Sequence, residues 1–517
     1  MVSMISRIFP LTRCSYSSTT TAIGPFYDII IIGGGMVGNA MACSLGLNDY
    51  FKSKKILVID SAEIKAPTKD SPYGNRVTAV SPPSILLFQK LGIWNDLVNL
   101  RVKRVDRLQV LDSCSQSSIR FAQPDPTNEV AYMIENNAIV GFLSNRIKAS
   151  CPNVTVRTKA KVIDCSTPSG LDKFATVALD DGTKLQTSLI IGADGARSMV
   201  RDMLNFQYTS WGYGQSAVVA NLQVEAVSFP INLFNMSSVT WSTSAEHAEE
   251  LLSLPPEKFV DELNEFLTTD IHQDSVTNQF LSLTEQILKG VFSVSEKPRL
   301  TFPTVISLYE GTRAGFPLAF GHSYSYVIPR AALIGDAAHR THPLAGQGVN
   351  LGWSDVKILL ECLQQCVVEG ADLGSLTYLS DYDTQAQRRN VPVQVACDWL
   401  NRLYLTTSMP FILMRSFGLN MVDRFTPLKL TVSSFQLVIV EMQLLTNVTI
   451  LKDASQSNLN SGRAVDSCGN VIQIKLKLNL KAFYILRKKL LILCCHFIMS
   501  FAHLFVILSV YLLLLIN

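Results

Sequence analysis

The residues from Tyr27 to Ile32 form a short apolar, β-branched run that ends at glycines, and Met36 to Leu47 follow with small and apolar residues. The first pattern predicts a buried strand and the second a helix packed on it. Lys55 to Asp60 is a second strand. Strand, glycine turn, helix and strand within about thirty residues make a βαβ unit, for which a right-handed parallel crossover is expected. The fold opens as an α/β nucleotide-binding domain.

Between Asp60 and Val80 the pattern lapses into a polar loop with Pro67, Pro72 and Gly74, and helical periodicity resumes over Ser84 to Leu91. Arg107 to Asp112 and Val154 to Val162 alternate as strands, with a helix over Gly141 to Ala149. A strand at Ser188 to Ile191 feeds into Gly192-Ala193-Asp194-Gly195. From Trp211 to Phe320 the pattern changes to strands at Ser216 to Val224 and Ser237 to Thr243, then a helical stretch from Ala245 to Leu267 broken by Pro255 and Pro256. Phe259 and Leu263 mark the apolar side of its second half. This is a sheet-and-helix layer inserted before nucleotide-binding elements return at Ala331. A helix is expected after Gly346 as far as Val368, and another over Asp381 to Tyr404 that Pro392 interrupts.

The fold class is therefore α/β, a Rossmann-like domain with an inserted sheet-and-helix domain. Its expected parts are 27–205 and 325–375 for the cofactor domain, 206–324 for the insert and 376–430 for a C-terminal helical region.

Composition narrows the field. With 517 residues, 48% hydrophobic and 17% charged, the chain can bury a large core, and wholesale disorder is excluded. A formal charge of +3 gives no electrostatic reason to expect a nucleic-acid partner. Eleven Cys lie scattered without CxxC or zinc-ribbon spacing, as befits buried thiols in a reducing compartment, and no metal site is expected.

The two ends differ from the middle. Residues 1–26 contain no acid but carry Arg7, Arg13 and a Ser/Thr-rich run, which suits a mitochondrial transit peptide or a plain disordered tail. Residues 431–489 form a divergent linker that becomes basic from Lys475 to Lys489. The uncharged run from Leu490 to Asn517 is long enough to span a bilayer. It reads equally as a membrane anchor or as a misassigned exon end.

Three motifs carry chemistry. Gly33-Gly34-Gly35-Met36-Val37-Gly38 is a GxGxxG entered from a strand. Gly33 permits the tight turn, Gly35 lets backbone approach a pyrophosphate, and Gly38 lets the helix pack closely. Asp60 ends the next strand, where a carboxylate can accept hydrogen bonds from an adenosine ribose. Further on, Gly335-Asp336 offers close backbone approach and a carboxylate for sugar-like hydroxyls. The Gly346-Gln347-Gly348 turn, with Asn350 beyond it, presents backbone N–H groups at a helix start, a nest for negative charge on a reduced flavin ring. An NAD-linked enzyme using only the first βαβ remains the rival.

With Asp194-Gly195 between them, these motifs resemble the group A flavoprotein monooxygenases, the aromatic hydroxylases with a single flavin domain. The resemblance implies FAD bound by Gly33, Gly35 and Gly38, by Asp194 and Gly195 with Arg197, and by Gly335 and Asp336 with Gly346 to Asn350. It also implies a flavin C4a-hydroperoxide that passes oxygen to an electron-rich phenol. Tyr27 to Gly46, Ser71 to Ser81, Gln215 to Ala220, Trp241 to Glu249 and Tyr326 to Gly352 resemble more narrowly the ubiquinone-biosynthesis branch of that family. That likeness covers 27–430. It implies a polyprenylated hydroxybenzoate as substrate, molecular oxygen, electrons from ferredoxin and ferredoxin reductase, other ubiquinone-biosynthesis proteins as partners, and the matrix side of the mitochondrial inner membrane.

Individual residues follow from the same resemblance. Arg76, after Asn75, is placed near the flavin, with an exposed loop salt bridge as the plain alternative. Pro317 is placed on a strand passing the active-site face, against an ordinary edge-strand proline. Pro343 falls inside the late motif. His339 reads as a proton relay or as an orienting, structural group. Asp194 can shape its loop by accepting backbone hydrogen bonds, and Arg197 can pair with it or support the cofactor indirectly.

One departure counts. Only Glu225 to Val239 joins two strands that the branch separates by a longer, Gly-Pro-rich stretch. A wall of the aromatic cavity is then missing, and a catalytically impaired FAD-binding assembly subunit is the alternative function.

Overall fold

A computed structural model describes residues 24–424, apart from 64, 106, 116, 123–129, 169–172, 226–234, 269–277, 280, 283–285, 287–302 and 407. The expected leader, the divergent linker, the apolar run at the end and most of the shortened 225–239 join lie outside the described residues.

The first part runs β1 (Phe26–Ile32), α1 (Met36–Leu47), β2 (Ile56–Ile59), β3 (Val77–Val80), α2 (Pro82–Leu91), α3 (Trp94–Leu100) and β4 (Lys103–Val105). Next come β5 (Arg107–Leu111), β6 (Ser118–Ala122), β7 (Ala131–Glu135), α4 (Asn136–Ser150), β8 (Val154–Arg157), β9 (Val162–Ser166), β10 (Ala175–Leu179), β11 (Lys184–Gly192) and α5 (Met199–Met203). The insert holds β12 (Tyr208–Val224), β13 (Asn235–Ser244), α6 (Ala245–Ser253), α7 (Pro256–Thr268), β14 (Val305–Leu308) and β15 (Ala314–Ser323). The return comprises β16 (Val327–Ile328), β17 (Ala331–Leu333), β18 (His339–Arg340), α8 (Gly348–Val368), α9 (Leu376–Leu405) and α10 (Met409–Arg424).

Among the described residues the strands form four sheets, β3-β7-β4 and β5-β6 being small, and the two larger ones organise the fold. The larger has the order β16-β17-β11-β1-β2-β8, with β10 and β9 folded back on β11. In it β1 runs parallel to both β2 and β11, and β11 parallel to β17. Ile29 to Ile32, Ile56 to Ile59 and Leu189 to Ile191 are buried, the continuous apolar runs of a sheet covered on both faces. Helices α1 and α8 belong to the same core, with Met41, Leu45, Trp353, Val356 and Leu359 in one apolar cluster.

The second sheet is antiparallel, β13-β12-β15-β18, with β14 beside β12. Its core joins Val218, Leu222, Val239 and Trp241 to Leu251, Phe259 and Leu263 of α6 and α7. Strands β12 and β13 pair without a break from Gln215↔Ser244 to Val224↔Asn235. Between Gly212 and Ser216 the register of β12 against β15 shifts, and Gly214 there takes a φ of +67° that suits glycine.

Two sequence expectations need correction. The stretch Val154 to Val162 is not one strand: Lys159 takes a φ of +55°, which no strand accommodates, and the chain restarts as β9. Pro392 does not interrupt its helix, because α9 runs through it. Pro392 lies on the exposed side, so the carbonyl it leaves without a helical partner can turn to water.

Candidate functional site

The structure brings the three motifs into contact. Gly33 has a φ of +107°, and a Cβ there would lie 2.3 Å from the Ala193 carbonyl oxygen and 2.8 Å from Asp194 Cα. At Gly38 a Cβ would meet the Gly33 carbonyl oxygen at 1.8 Å and Ala193 Cβ at 3.2 Å. The early turn thus lies directly on the central loop. A Cβ at Gly335 would approach Val37 to 3.2 Å, and one at Gly352 would approach it to 2.7 Å. The late turn and α8 therefore close on the first turn of α1.

Gly35 behaves differently, since none of the described residues lies within 4 Å of the place a Cβ would take. Its bare Cα faces a cradle at the N-terminus of α1, where backbone N–H groups point outward and favour an anion. Gly195 is likewise open, with a φ of +82°.

The carboxylates divide between bracing and reserve. Asp60 accepts from the Gly34 amide and, at 2.6 Å, from the Ala62 amide, so it braces the glycine turn while keeping lone pairs for a ligand hydroxyl. Asp194 Oδ2 accepts the Met199 and Val200 amides at 2.8 and 3.2 Å; Oδ1 is buried without a partner among the described residues. Burial holds the Asp194 carboxyl above its usual range. Burial also raises Asp336, against the pull of His339 and Arg340.

Arg197 is exposed. The arginine that ties the central loop to the late motif is Arg201, which donates to the Ala337 carbonyl at 3.1 Å and stacks 3.9 Å from the Tyr208 ring.

Beneath Gly335 lies a group the sequence reading missed. Asp355 on α8 accepts the Gly335 amide at 2.9 Å, His339 Nε2 at 2.6 Å and Asn390 Nδ2 at 2.9 Å. Both Asp355 and His339 are 0% exposed. Burial alone would push the His339 imidazole down, but the adjoining Asp355 carboxylate outweighs it and raises the pKa. Among the sequence alternatives for His339, this geometry is the orienting one. One acid inside an otherwise apolar helix face, beside Trp353 and Val356, was the available signal.

The turn before α8 is built around Pro343–Ala345, closed by the Gly346 amide to the Pro343 carbonyl at 2.9 Å with Gly346 at a φ of +54°. Gln347 is 0% exposed, and neither end of its amide finds a partner among the described residues. Asn350 reaches the other way: it accepts from Ser81 N at 3.1 Å and Ser84 Oγ at 2.8 Å, and donates to the Ala79 carbonyl at 2.8 Å. It fixes the segment that follows Arg76.

That loop is held at its other end too. Arg101 pairs with Glu135 at 3.0 Å and donates to the Ser71 carbonyl at 2.8 Å. Glu135 accepts the Gly74 amide, and Asn221 donates to the Gly74 carbonyl at 3.1 Å. Arg76 itself is exposed and lies 5.8 Å from the Phe316 ring. Next to Phe316, Pro317 is exposed on β15, and its carbonyl accepts from Arg340. The structure thus brings Arg76 to the Pro317 strand, three residues short of Pro343 through Arg340.

The residues fit FAD on two observations. Gly35 leaves a cradle that a Cβ would fill, and Gln347 is a buried amide whose hydrogen bonds no group among the described residues supplies. Among the described residues no cluster of three or more His, Cys, Asp or Glu could hold a metal, and no helix is long and apolar enough to cross a membrane.

Comparison with known proteins agrees with this geometry. Residues 321–395 match the family model of an FAD binding domain. The solved structure of p-nitrophenol 4-monooxygenase PnpA from Pseudomonas putida DLL-E4 superposes with a TM-score of 0.56 at 16% identity, covering 80% of this chain and 98% of that one. PqsL from Pseudomonas aeruginosa, described as a probable FAD-dependent monooxygenase, gives 0.53 at 18% identity over 76% and 99%. The family model and the superpositions define the class of the fold, a Rossmann-like FAD-binding fold of the aromatic-hydroxylase type.

Sequence relatives narrow the class. Ubiquinone biosynthesis monooxygenase COQ6, mitochondrial, of Caenorhabditis elegans is 46% identical over 428 residues, 78% of this chain and 94% of that protein. The Homo sapiens protein of that name is 38% identical over 82% and 94%, and the Saccharomyces cerevisiae one 30% identical over 78% and 92%. The chain belongs to the COQ6 family of ubiquinone biosynthesis monooxygenases.

Proposed function

We propose that this chain is a mitochondrial FAD-dependent monooxygenase that hydroxylates the aromatic ring of a polyprenylated hydroxybenzoate in ubiquinone biosynthesis. Family membership supports the pathway and the reaction type, and the relatives' names support the mitochondrion. The finer parts of the reading are that ferredoxin and its reductase supply electrons, that other ubiquinone-biosynthesis proteins are partners, and that the enzyme works at the matrix face of the inner membrane.

The observation that carries the proposal is that the early glycine turn meets Ala193-Asp194 at Gly33 and the late turn at Val37, while Gly35 between them stays open. Bound FAD would supply oxygen activation and electron transfer. The α1 N-terminus with Gly33, Gly35 and Gly38 would receive the pyrophosphate, and Asp60 the ribose hydroxyls. Asp194, Gly195, Gly335 and Asp336 would line the extended chain of the cofactor. Gln347 and Gly348 would offer N–H groups to the ring, with Gly346 closing the turn through its bond to Pro343 and Asn350 bracing the turn rather than facing it. Arg76, Pro317 and Pro343 would border the reacting face, where Arg76 can favour anionic charge. In the domain assignment that goes with this, 27–205 and 325–375 bind cofactor, 206–324 forms the substrate domain and 376–430 is the C-terminal helical region.

The test is purification of the full chain with its flavin spectrum, followed by oxygen-dependent hydroxylation of a short-chain prenylated 4-hydroxybenzoate with a ferredoxin reducing system. Stoichiometric flavin and a hydroxylated product are expected. Flavin without product would leave the assembly-subunit function standing, and protein that stays colourless after FAD supplementation would overturn the reading.

A further inference from the structure

His342 stands immediately before Pro343, and its Nδ1 accepts the Leu344 amide at 3.2 Å. A ring nitrogen that accepts carries no proton, so in the neutral imidazole the proton is on Nε2. The tautomer is assigned by that backbone bond. Burial pushes the imidazole down to about 4, which keeps it neutral near pH 7.

His342 is 1% exposed, yet Nε2 has no hydrogen-bond partner among the described residues. A buried N–H left unsatisfied costs about 1–3 kcal/mol. Such groups concentrate where something outside the chain completes them. The neighbours narrow what that is. The Tyr213 ring, from the irregular part of β12, meets the imidazole edge-on with centroids 4.9 Å apart, and its hydroxyl is already engaged with Asp398 at 3.0 Å. Gln347, on the same turn, is the second buried side chain without a partner. The turn that belongs to the proposed flavin site therefore presents two unfulfilled polar groups, beside an aromatic residue of the substrate sheet.

Resting on the hydroxylase reading above, we propose that His342 is a ligand-binding residue whose Nε2–H donates a hydrogen bond to a ring oxygen of the aromatic ligands held between this turn and β12. The acceptor is either the phenolic oxygen of the substrate or a carbonyl oxygen of the flavin; both offer the same lone-pair chemistry. On a phenolic oxygen the bond favours the phenolate, the more electron-rich form of the ring, and so assists attack by an electrophilic oxygen.

Two variants separate ligand contact from turn geometry. His342→Asn keeps an acceptor near the Nδ1 position for the Leu344 amide but removes the outer donor. His342→Gln sets an amide N–H near the Nε2 position and gives up the cap. FAD affinity is measured by flavin fluorescence on the full chain, and binding of 3-farnesyl-4-hydroxybenzoate to the FAD-loaded protein by perturbation of the flavin absorbance. His342→Asn is expected to weaken one of the two roughly tenfold, the loss of about one hydrogen bond, and His342→Gln to restore most of it. Weakened phenol binding with unchanged FAD affinity assigns the bond to the substrate; weakened FAD affinity assigns it to the flavin. Wild-type affinity for both ligands in the Asn variant overturns the inference, as does an equal loss in both variants with a lowered unfolding midpoint. Should the wild type hold FAD but ignore the phenol, the hydroxylase reading fails while the FAD measurement still decides the role of His342.

Discussion

The parallel sheet and the antiparallel sheet solve different problems. Around β1, β2 and β11 the side chains face apolar layers on both sides, and the chemistry is left to backbone at the strand ends, where Gly33, Gly35 and Gly335 sit. In the antiparallel sheet the side chains of β12 and β13 pack against α6 and α7, while Trp211 and Pro317 on β12 and β15 stay exposed. A cofactor seat made of backbone tolerates almost no substitution at its glycines. A sheet whose packing is made by side chains can change its residues without changing its fold.

This contrast sets an order of expected effects. Gly38→Val should be the most damaging change, because its Cβ would lie 1.8 Å from the Gly33 carbonyl oxygen; no folded, flavin-containing protein is expected, as judged by circular dichroism and absorbance. Gly35→Ala meets no chain atom, so the apoprotein should keep its unfolding midpoint while FAD retention collapses. A variant that retained FAD would show that the cradle is not used. In the insert, Phe259→Ala should cost about 3–5 kcal/mol in urea unfolding, since Phe259 is 0% exposed, yet leave the flavin spectrum in place while the domain holds.

Asp355→Asn should destabilise by about 3 kcal/mol or more, because it leaves His339 without its buried counter-charge. FAD affinity should fall with it. A pH series gives a comparable effect of distinct form. The His342 pKa is about 4 in the folded chain against an ordinary 6.5, so the unfolded state takes up the proton first. Stability is full above about pH 6.5 and is lost as pH falls toward 4, by about 3 kcal/mol from this group. The difference between wild type and His342→Asn should show that slope. His247→Ala, which removes a partly exposed pair with Glu262, should cost less than about 1 kcal/mol.

The same contrast explains what was legible beforehand. Glycine spacing announced the early and late turns because the backbone conformation needed there excludes most other residues, and the positive φ angles of Gly33, Gly335 and Gly346 carry that constraint. The helix pair split at Pro255-Pro256 was equally readable, since a proline pair stops one helix and suits the start of another. Long-range bracing was not readable. Nothing local to Asn350 says that it grips Ala79 to Ser84, nothing near Glu135 says that it holds Gly74, and Arg197 sat in the motif while Arg201 made the contact. These roles depend on which distant segment arrives, which spacing does not encode.

The grip of Asn350 on Ser84 spans 266 positions, and β11 must wait for β17 to gain its outer parallel neighbour. Because chains emerge from the ribosome amino end first, at about 5–20 residues per second, the early glycine turn and the Arg76 loop spend many seconds without the segment that locks them. Contacts this remote in sequence are slow to form and leave apolar strand edges uncovered meanwhile. The nascent protein is thus most in need of chaperone shelter just before residues 331–350 are made, although the first part of its nucleotide domain has long since been synthesised.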